Sequence, residues 1–200
     1  VSGDLGCDNQ DTIKEVGGDI LFLGPDGLRF LGATDRIGDF NLSLASRSIQ
    51  DRLTSFGAEY TEISSIVLRG KSQYRLLGFT AGRRSSVTEG FIGTQFVAQE
   101  SSSFNWSETK GVKAYRTTSV IAGGGEKTLF SEETGFVYTL DVGNNFDGGV
   151  IKAYFKTPFM SITDSRLRKT LYKVTTHYDP EGEVEGRLGI KYDFLRPEII

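Results

Sequence analysis

The sequence holds one cysteine, Cys7, one histidine, His177, one methionine and four prolines, and each scarcity closes off a class of chemistry. A lone Cys7 can form neither an intrachain disulfide nor a thiolate zinc cluster, so the fold has to stand on its core. A lone His177 leaves Ser/His/Asp or Cys/His catalysis, and any His-rich metal site, dependent on one residue. There is no apolar run of about 18 residues, the length a membrane-spanning helix needs. The start, VSGDLGCDNQ, lacks the basic and apolar regions of a signal peptide. The chain is therefore expected to be soluble, and its Val1 start to reflect a removed Met or a cut from a longer protein. Positive charge is not in excess either. Lys and Arg number 23 against 26 Asp and Glu, a formal charge of −3, which is the wrong balance for a protein that works by neutralising phosphates.

What is abundant is glycine, 25 of 200 residues, in a chain that is 38% hydrophobic and 12% aromatic. Such a chain can bury a core and must make many tight turns. The first strong pattern is DILFLGPDGLRFLG, residues 19–32. Four apolar residues run into Gly24-Pro25-Asp26-Gly27, where Pro25 presets φ, Asp26 suits the next turn position and Gly27 accepts positive φ. The pattern predicts a hairpin whose returning strand buries Leu28, Phe30 and Leu31. Its first strand, apolar on both faces, suits a position between sheets.

Comparable units follow at residues 65–79 (SIVLRGKSQYRLLGF) and 127–140 (KTLFSEETGFVYTL). With the polar stretch 81–105 set aside, of which 81–103 reads as a long loop holding a short strand, the units repeat at roughly 40 to 46 residues, the range of four-stranded propeller blades. Residues 41–57 place Leu42, Ala45, Ile49, Leu53 and Phe56 at helical spacing. Ser43 stands as N-cap, Arg47 four before Asp51, and Gly57 at the expected stop. Beyond Gly149, residues 150–155, 171–178 and 184–194 alternate more cleanly and predict three strands with one wet face. The fold class expected is therefore all-β: an incomplete or irregular propeller-like repeat of antiparallel hairpins with one short helix at 1–149, and a small C-terminal antiparallel sheet at 150–200 packed on it.

Candidate chemistry is sparse. Gly123-Gly124-Gly125-Glu126-Lys127-Thr128 mimics a phosphate loop, but Glu126 would repel phosphate and a strand follows where a helix is needed, so it reads as a turn. Residues 141–149 (DVGNNFDGG) are oxygen-rich but break EF-hand spacing at Gly143, and read as a solvated turn. His177 reads as a sheet-surface residue. Glu181, Glu183 and Glu185 share a face, and with Asp179 would serve a glycosidase only in a cleft. Asn41-Leu42-Ser43 and Asn105-Trp106-Ser107 match a glycosylation pattern that arises often by chance. No catalytic residue, metal site or cofactor is expected. Arg166, Arg168 and Lys169 lie close to Phe159 and Met160, and Arg, Met and aromatic side chains are the types enriched where protein surfaces meet. Phe159, Met160, Arg166 and Arg168 are therefore the expected subunit interface.

The run 16–29 (VGGDILFLGPDGLR) with Ser48-Ile49-Gln50 resembles the hairpin-plus-helix segment of tail nozzle proteins from tailed bacteriophages. So do Gly93-Thr94-Gln95-Phe96, Trp106-Ser107-Glu108, Thr157-Pro158-Phe159-Met160 and residues 168–174 (RKTLYKV). The resemblance covers most of the chain. It implies a non-enzymatic virion component of the tail, assembled in the host bacterial cytoplasm. Copies would form a ring below the portal, next to other tail or adaptor proteins and tail fibres, and double-stranded DNA would pass without specific binding and without a membrane. The chain departs from the family in being short: three blade-like units do not close a propeller. A mildly acidic protein suits a channel through which a duplex must slide. The rival expectation is a carbohydrate-binding or adhesive propeller using Trp106, Tyr115 and residues 144–148, with a glycoside hydrolase using Asp179, Glu181 or Glu183 third.

Overall fold

A computed structural model of the chain describes residues 6–32, 44–80, 89–98, 101–161, 168–180, 182–191 and 198–199. It divides into two compact units, Val1–Val142 and Gly143–Ile200.

The first unit is a series of antiparallel meanders, and strands make up 42% of the described residues. One sheet holds β1 (Lys14–Val16), β2 (Asp19–Gly24) and β3 (Gly27–Phe30) in sequence order. After a 3-10 turn at Arg47–Ile49 comes helix α1 (Gln50–Glu59). A four-stranded sheet follows, β4 (Glu62–Leu68), β5 (Gln73–Phe79), β6 (Glu89–Ala98) and β7 (Ser101–Lys110). The last sheet is β8 (Arg116–Ala122), β9 (Gly125–Ser131) and β10 (Val137–Thr139). None of the three sheets closes on itself, as an irregular, open propeller-like arrangement requires.

The middle sheet sits between the other two because β5 is apolar on both faces. Successive strand residues point to opposite sides. Leu76 enters a core with Leu21, Leu28, Leu53 and Phe56 of the first sheet and α1. Its neighbour Leu77 enters a second core with Val112, Ala114, Phe130 and Leu140, on the side of the third sheet. The first strands of these sheets are tied side by side. Thr117 Oγ1 of β8 donates to the Ser65 carbonyl of β4, and Arg116 reaches Glu62 at 2.9 Å.

The first hairpin forms with Gly24 opposite Gly27 and Pro25-Asp26 between them. Leu28 is fully buried and Phe30 partly so, stacked 5.9 Å from Phe104, but Leu31 is half exposed rather than buried. The Asp26 carboxylate binds the buried Arg29 guanidinium, which holds its pKa below the usual range.

Other expectations change as well. The helix begins at Gln50 and runs through Gly57 to Glu59, while Ser43 lies outside the described residues. A glycine costs a helix about 1 kcal/mol. Continuing places Phe56 and Tyr60, rings 4.7 Å apart, against Gly78, where any Cβ would stand 2.6 Å from either ring. Of the stretch read as a loop, residues 81–88 and 99–100 lie outside the described residues, and the rest belongs to the hairpin β6–β7, ten residues on each strand. Its glycines are packing devices: Gly93 leaves room for the Trp106 indole, 2.7 Å from where a Cβ would be.

In Gly143–Ile200 the described residues of 150–155 and 171–178 form no strand, and the small antiparallel sheet is the pair β11 (Gly189–Ile190) and β12 (Glu198–Ile199). Alternation gives a strand an apolar face but not a partner, and without a paired neighbour the backbone gains no ladder.

Candidate functional site

Among the described residues no group of three or more His, Cys, Asp and Glu side chains could hold a metal. Asp141, the first oxygen of the 141–149 loop, is committed elsewhere. Its Oδ2 accepts from Arg75 and from Lys71 at 2.6 Å each and its Oδ1 from Arg75 at 2.8 Å, and the Arg75 bond above all lowers its pKa to about 2. The rest of the loop makes a tight turn, with Phe146 bridged to Gly149 and Gly148 N–H donating to Asn145 Oδ1 at 2.8 Å.

Gly123 and Gly124 take φ of +63° and +82° and close the β8–β9 hairpin. Lys127 is therefore in a strand, without the helix N-terminus that phosphate binding uses. Glu183, Glu185 and Asp179 are exposed and Glu185 pairs with Arg187 at 2.8 Å; Glu181 lies outside the described residues. His177 is exposed. Trp106 is turned inward: Nε1 donates to the Ala45 carbonyl at 2.9 Å and the ring packs 5.4 Å from Phe104. An indole spent on the core offers no platform to a sugar. Tyr115 carries the Arg116 guanidinium over its ring at 4.6 Å. Asn105 is exposed on β7, and Asn41 and Ser43 lie outside the described residues.

Two of the clefts among the described residues are shallow. One, about 280 Å³, lies between the first hairpin and α1 and is lined by Asp8, Pro25, Leu53 and Tyr60; the other, about 200 Å³, is lined by Glu15, Arg69 and Gln95. Both fall below the roughly 300 Å³ at which ligand pockets begin, and each carries one carboxylate.

The feature that needs a chemical explanation is residues 150–160 and 168–178. Val150, Tyr154, Phe155, Met160, Tyr172 and Tyr178 are 67% to 93% exposed, and Phe159 is 48% exposed. The same stretches carry Lys152, Lys156, Arg168, Lys169 and Lys173 and no Asp or Glu. Arg168 is exposed beside Lys169, whose Nζ donates to the Ser161 carbonyl at 2.6 Å; Arg166 lies outside the described residues. Sequence reasoning singled out Phe159, Met160 and Arg168 but missed Tyr154, Phe155 and Tyr172, because it assigned these rings to sheet faces. Isolated surface hydrophobics need no account, but a run of apolar and basic side chains marks an interaction surface.

Compared with protein families, curated proteins and solved structures, the chain matches none.

Proposed function

We propose that this chain is a non-enzymatic structural subunit of a bacteriophage tail. It is a nozzle or tail-tube ring protein below the portal, through which double-stranded DNA leaves without specific binding. Its place is the virion tail, built in the host cytoplasm, with further copies of itself, adaptor or tail proteins and tail fibres as neighbours. The observation that carries this reading is the run of exposed aromatic, aliphatic and basic residues at 150–160 and 168–178. In an assembly those side chains are covered; in a free monomer they cost solubility. An open series of meanders in place of a closed propeller, and a net charge of −3 that does not hold a duplex, support the same reading.

The test is electron microscopy of the purified chain with light scattering to fix its mass. Ring-shaped particles of one stoichiometry are expected, and Phe159→Ser with Arg168→Glu should abolish them while leaving the circular dichroism spectrum unchanged. A protein that stays monomeric at every concentration and beside its tail neighbours would overturn the reading.

A further inference from the structure

The three sheets of the first unit differ in how their last strand is finished. The middle sheet has four strands. The outer edge of β3 is occupied by the chain itself: Leu44 bridges Arg29, Ala45 N–H donates to the Leu28 carbonyl at 2.9 Å, and Ser46 Oγ accepts from Leu28 N–H at 2.9 Å. The third sheet stops at β10, which among the described residues is paired on one side only, by β9.

The directions of the β10 backbone groups follow from its bonds to β9. Glu132 N–H donates to the Phe136 carbonyl at 3.0 Å and Leu140 N–H to the Thr128 carbonyl at 2.8 Å. Antiparallel pairs alternate between bonded and non-bonded, so Val137 and Thr139 turn their N–H and C=O groups away from β9. Val137 and Phe136 are each 65% exposed at this edge, and Glu133 is exposed in the turn that leads to it. The edge is thus short, apolar and flanked by negative charge. The other terminal strand, β7, is the fourth of a complete meander, and its exposed Ser103, Asn105 and Ser107 are neutral and polar.

We infer that the outer edge of β10 receives a strand from residues 171–178 of a second copy of the chain, so that each subunit completes the third sheet of its neighbour. Residues 171–178 (LYKVTTHY) contain no Pro and are rich in the β-branched and aromatic types that suit a pleated sheet. In the single chain they form no strand, and Tyr172 is 93% exposed. Charge suits the chain's own stretch 171–178 as the occupant, and a ring of copies presents it from a neighbour. The donor stretch and its N-terminal flank carry Arg168, Lys169 and Lys173 without an acid, its C-terminal flank opens with Asp179, and acidic residues outnumber basic ones over residues 1–142. Strand addition to an open edge supplies main-chain hydrogen bonds, and complementary charge fixes the partner. The inference rests on the ring reading, to which it adds the joint between subunits.

The test uses two full-length chains in a Cys7→Ser background, one carrying Thr139→Cys and the other Thr175→Cys, only one of them tagged. They are mixed and treated with a short bis-maleimide. A cross-linked heterodimer is expected in the ring fraction, absent when Thr139→Cys is treated alone and lost when the donor also carries Lys173→Glu. Rings that form without this product overturn the strand joint and leave the ring reading standing. Heterodimer without rings keeps the joint and removes the ring. Cross-linking within one chain of the double variant, unaffected by dilution, shows a strand returning in cis and overturns the second copy as occupant. Capture by Asn105→Cys in place of Thr139→Cys overturns β10 as the acceptor.

Discussion

Residues 1–142 and 143–200 are written in a similar alphabet and end in different states. Both hold β-prone runs: ILFLG and IVL in the first, VIKAYF and LYKVTTHY in the second. In the first, Leu21, Leu28, Tyr74 and Leu76 are wholly buried, whereas in the second Phe155 and Tyr172 are 91% and 93% exposed. The difference lies in partners. Each strand from β1 to β10 has a neighbour one short turn away, so local sequence and pairing reinforce each other. The runs of 143–200 have apolar faces but, among the described residues, no neighbouring strand to bond. Propensity alone does not make a sheet.

Substitutions in the core sharpen this contrast most. Leu76→Ala should cost about 2–5 kcal/mol, through lost burial and the cavity left between the first two sheets, as read from urea unfolding; a cost near zero would mean that β5 does not carry the core. Next comes Gly27→Val. Gly27 sits at φ +135°, and a Cβ there would stand 2.6 Å from Ser46 Oγ, the hydroxyl that caps Leu28. Backbone strain and the displaced hydroxyl together should cost about 1–3 kcal/mol, and a melting midpoint equal to wild type would break the account of the first hairpin.

Asp141 gives a smaller effect with a defined pH dependence. Its carboxyl is held near 2 against an ordinary 3.8, first by the Arg75 hydrogen bond. A lowered folded pKa stabilises the protein at pH values above the unfolded value, and the contribution fades as pH falls from about 4 to about 2. With the side chain 28% exposed, solvent screening limits it to about 1–2 kcal/mol. Asp141→Asn should therefore destabilise at pH 7 and leave stability nearly unchanged at pH 2; an equal loss at both would show that the ion pairs are not its source. The smallest effect belongs to the other unit. Tyr172→Ser and Phe155→Ser should move the unfolding of the isolated chain by less than about 0.5 kcal/mol, and a larger shift would show that these rings already pack within one chain.

Much of the first unit was legible in the sequence because its signals are local. Gly24-Pro25-Asp26-Gly27 specifies its own turn, and Leu53 with Phe56 marks a helix face. The β6–β7 hairpin was not legible. Gly90, Gly93 and the serines at 101–103 signal a loop, and their strand state is set by Trp106 and Phe104, which use the space above Gly93. The helix end was missed for a related reason: Gly57 is a stop signal overruled by Phe56 and Tyr60 docking on Gly78. Of the candidate site, composition exposed Phe159, Met160 and Arg168, but the exposure of Phe155 and Tyr172 depends on which strands go unpaired, and no single run of sequence encodes that.

Asp141 also has a mechanical role. It follows β10 almost at once and stands two residues before the second unit begins, so tension applied through residues 143–200 meets it before it meets the sheet. Pulled from its end, an antiparallel hairpin such as β9–β10 opens one rung at a time and resists weakly. With Asp141 clamped by Arg75 and Lys71, the load passes instead to β5, a strand bonded on both sides, by β4 and β6. A pull on residues 143–200 is thus borne by the Asp141 ion pairs with Arg75 and Lys71 before it reaches the β9–β10 pairing.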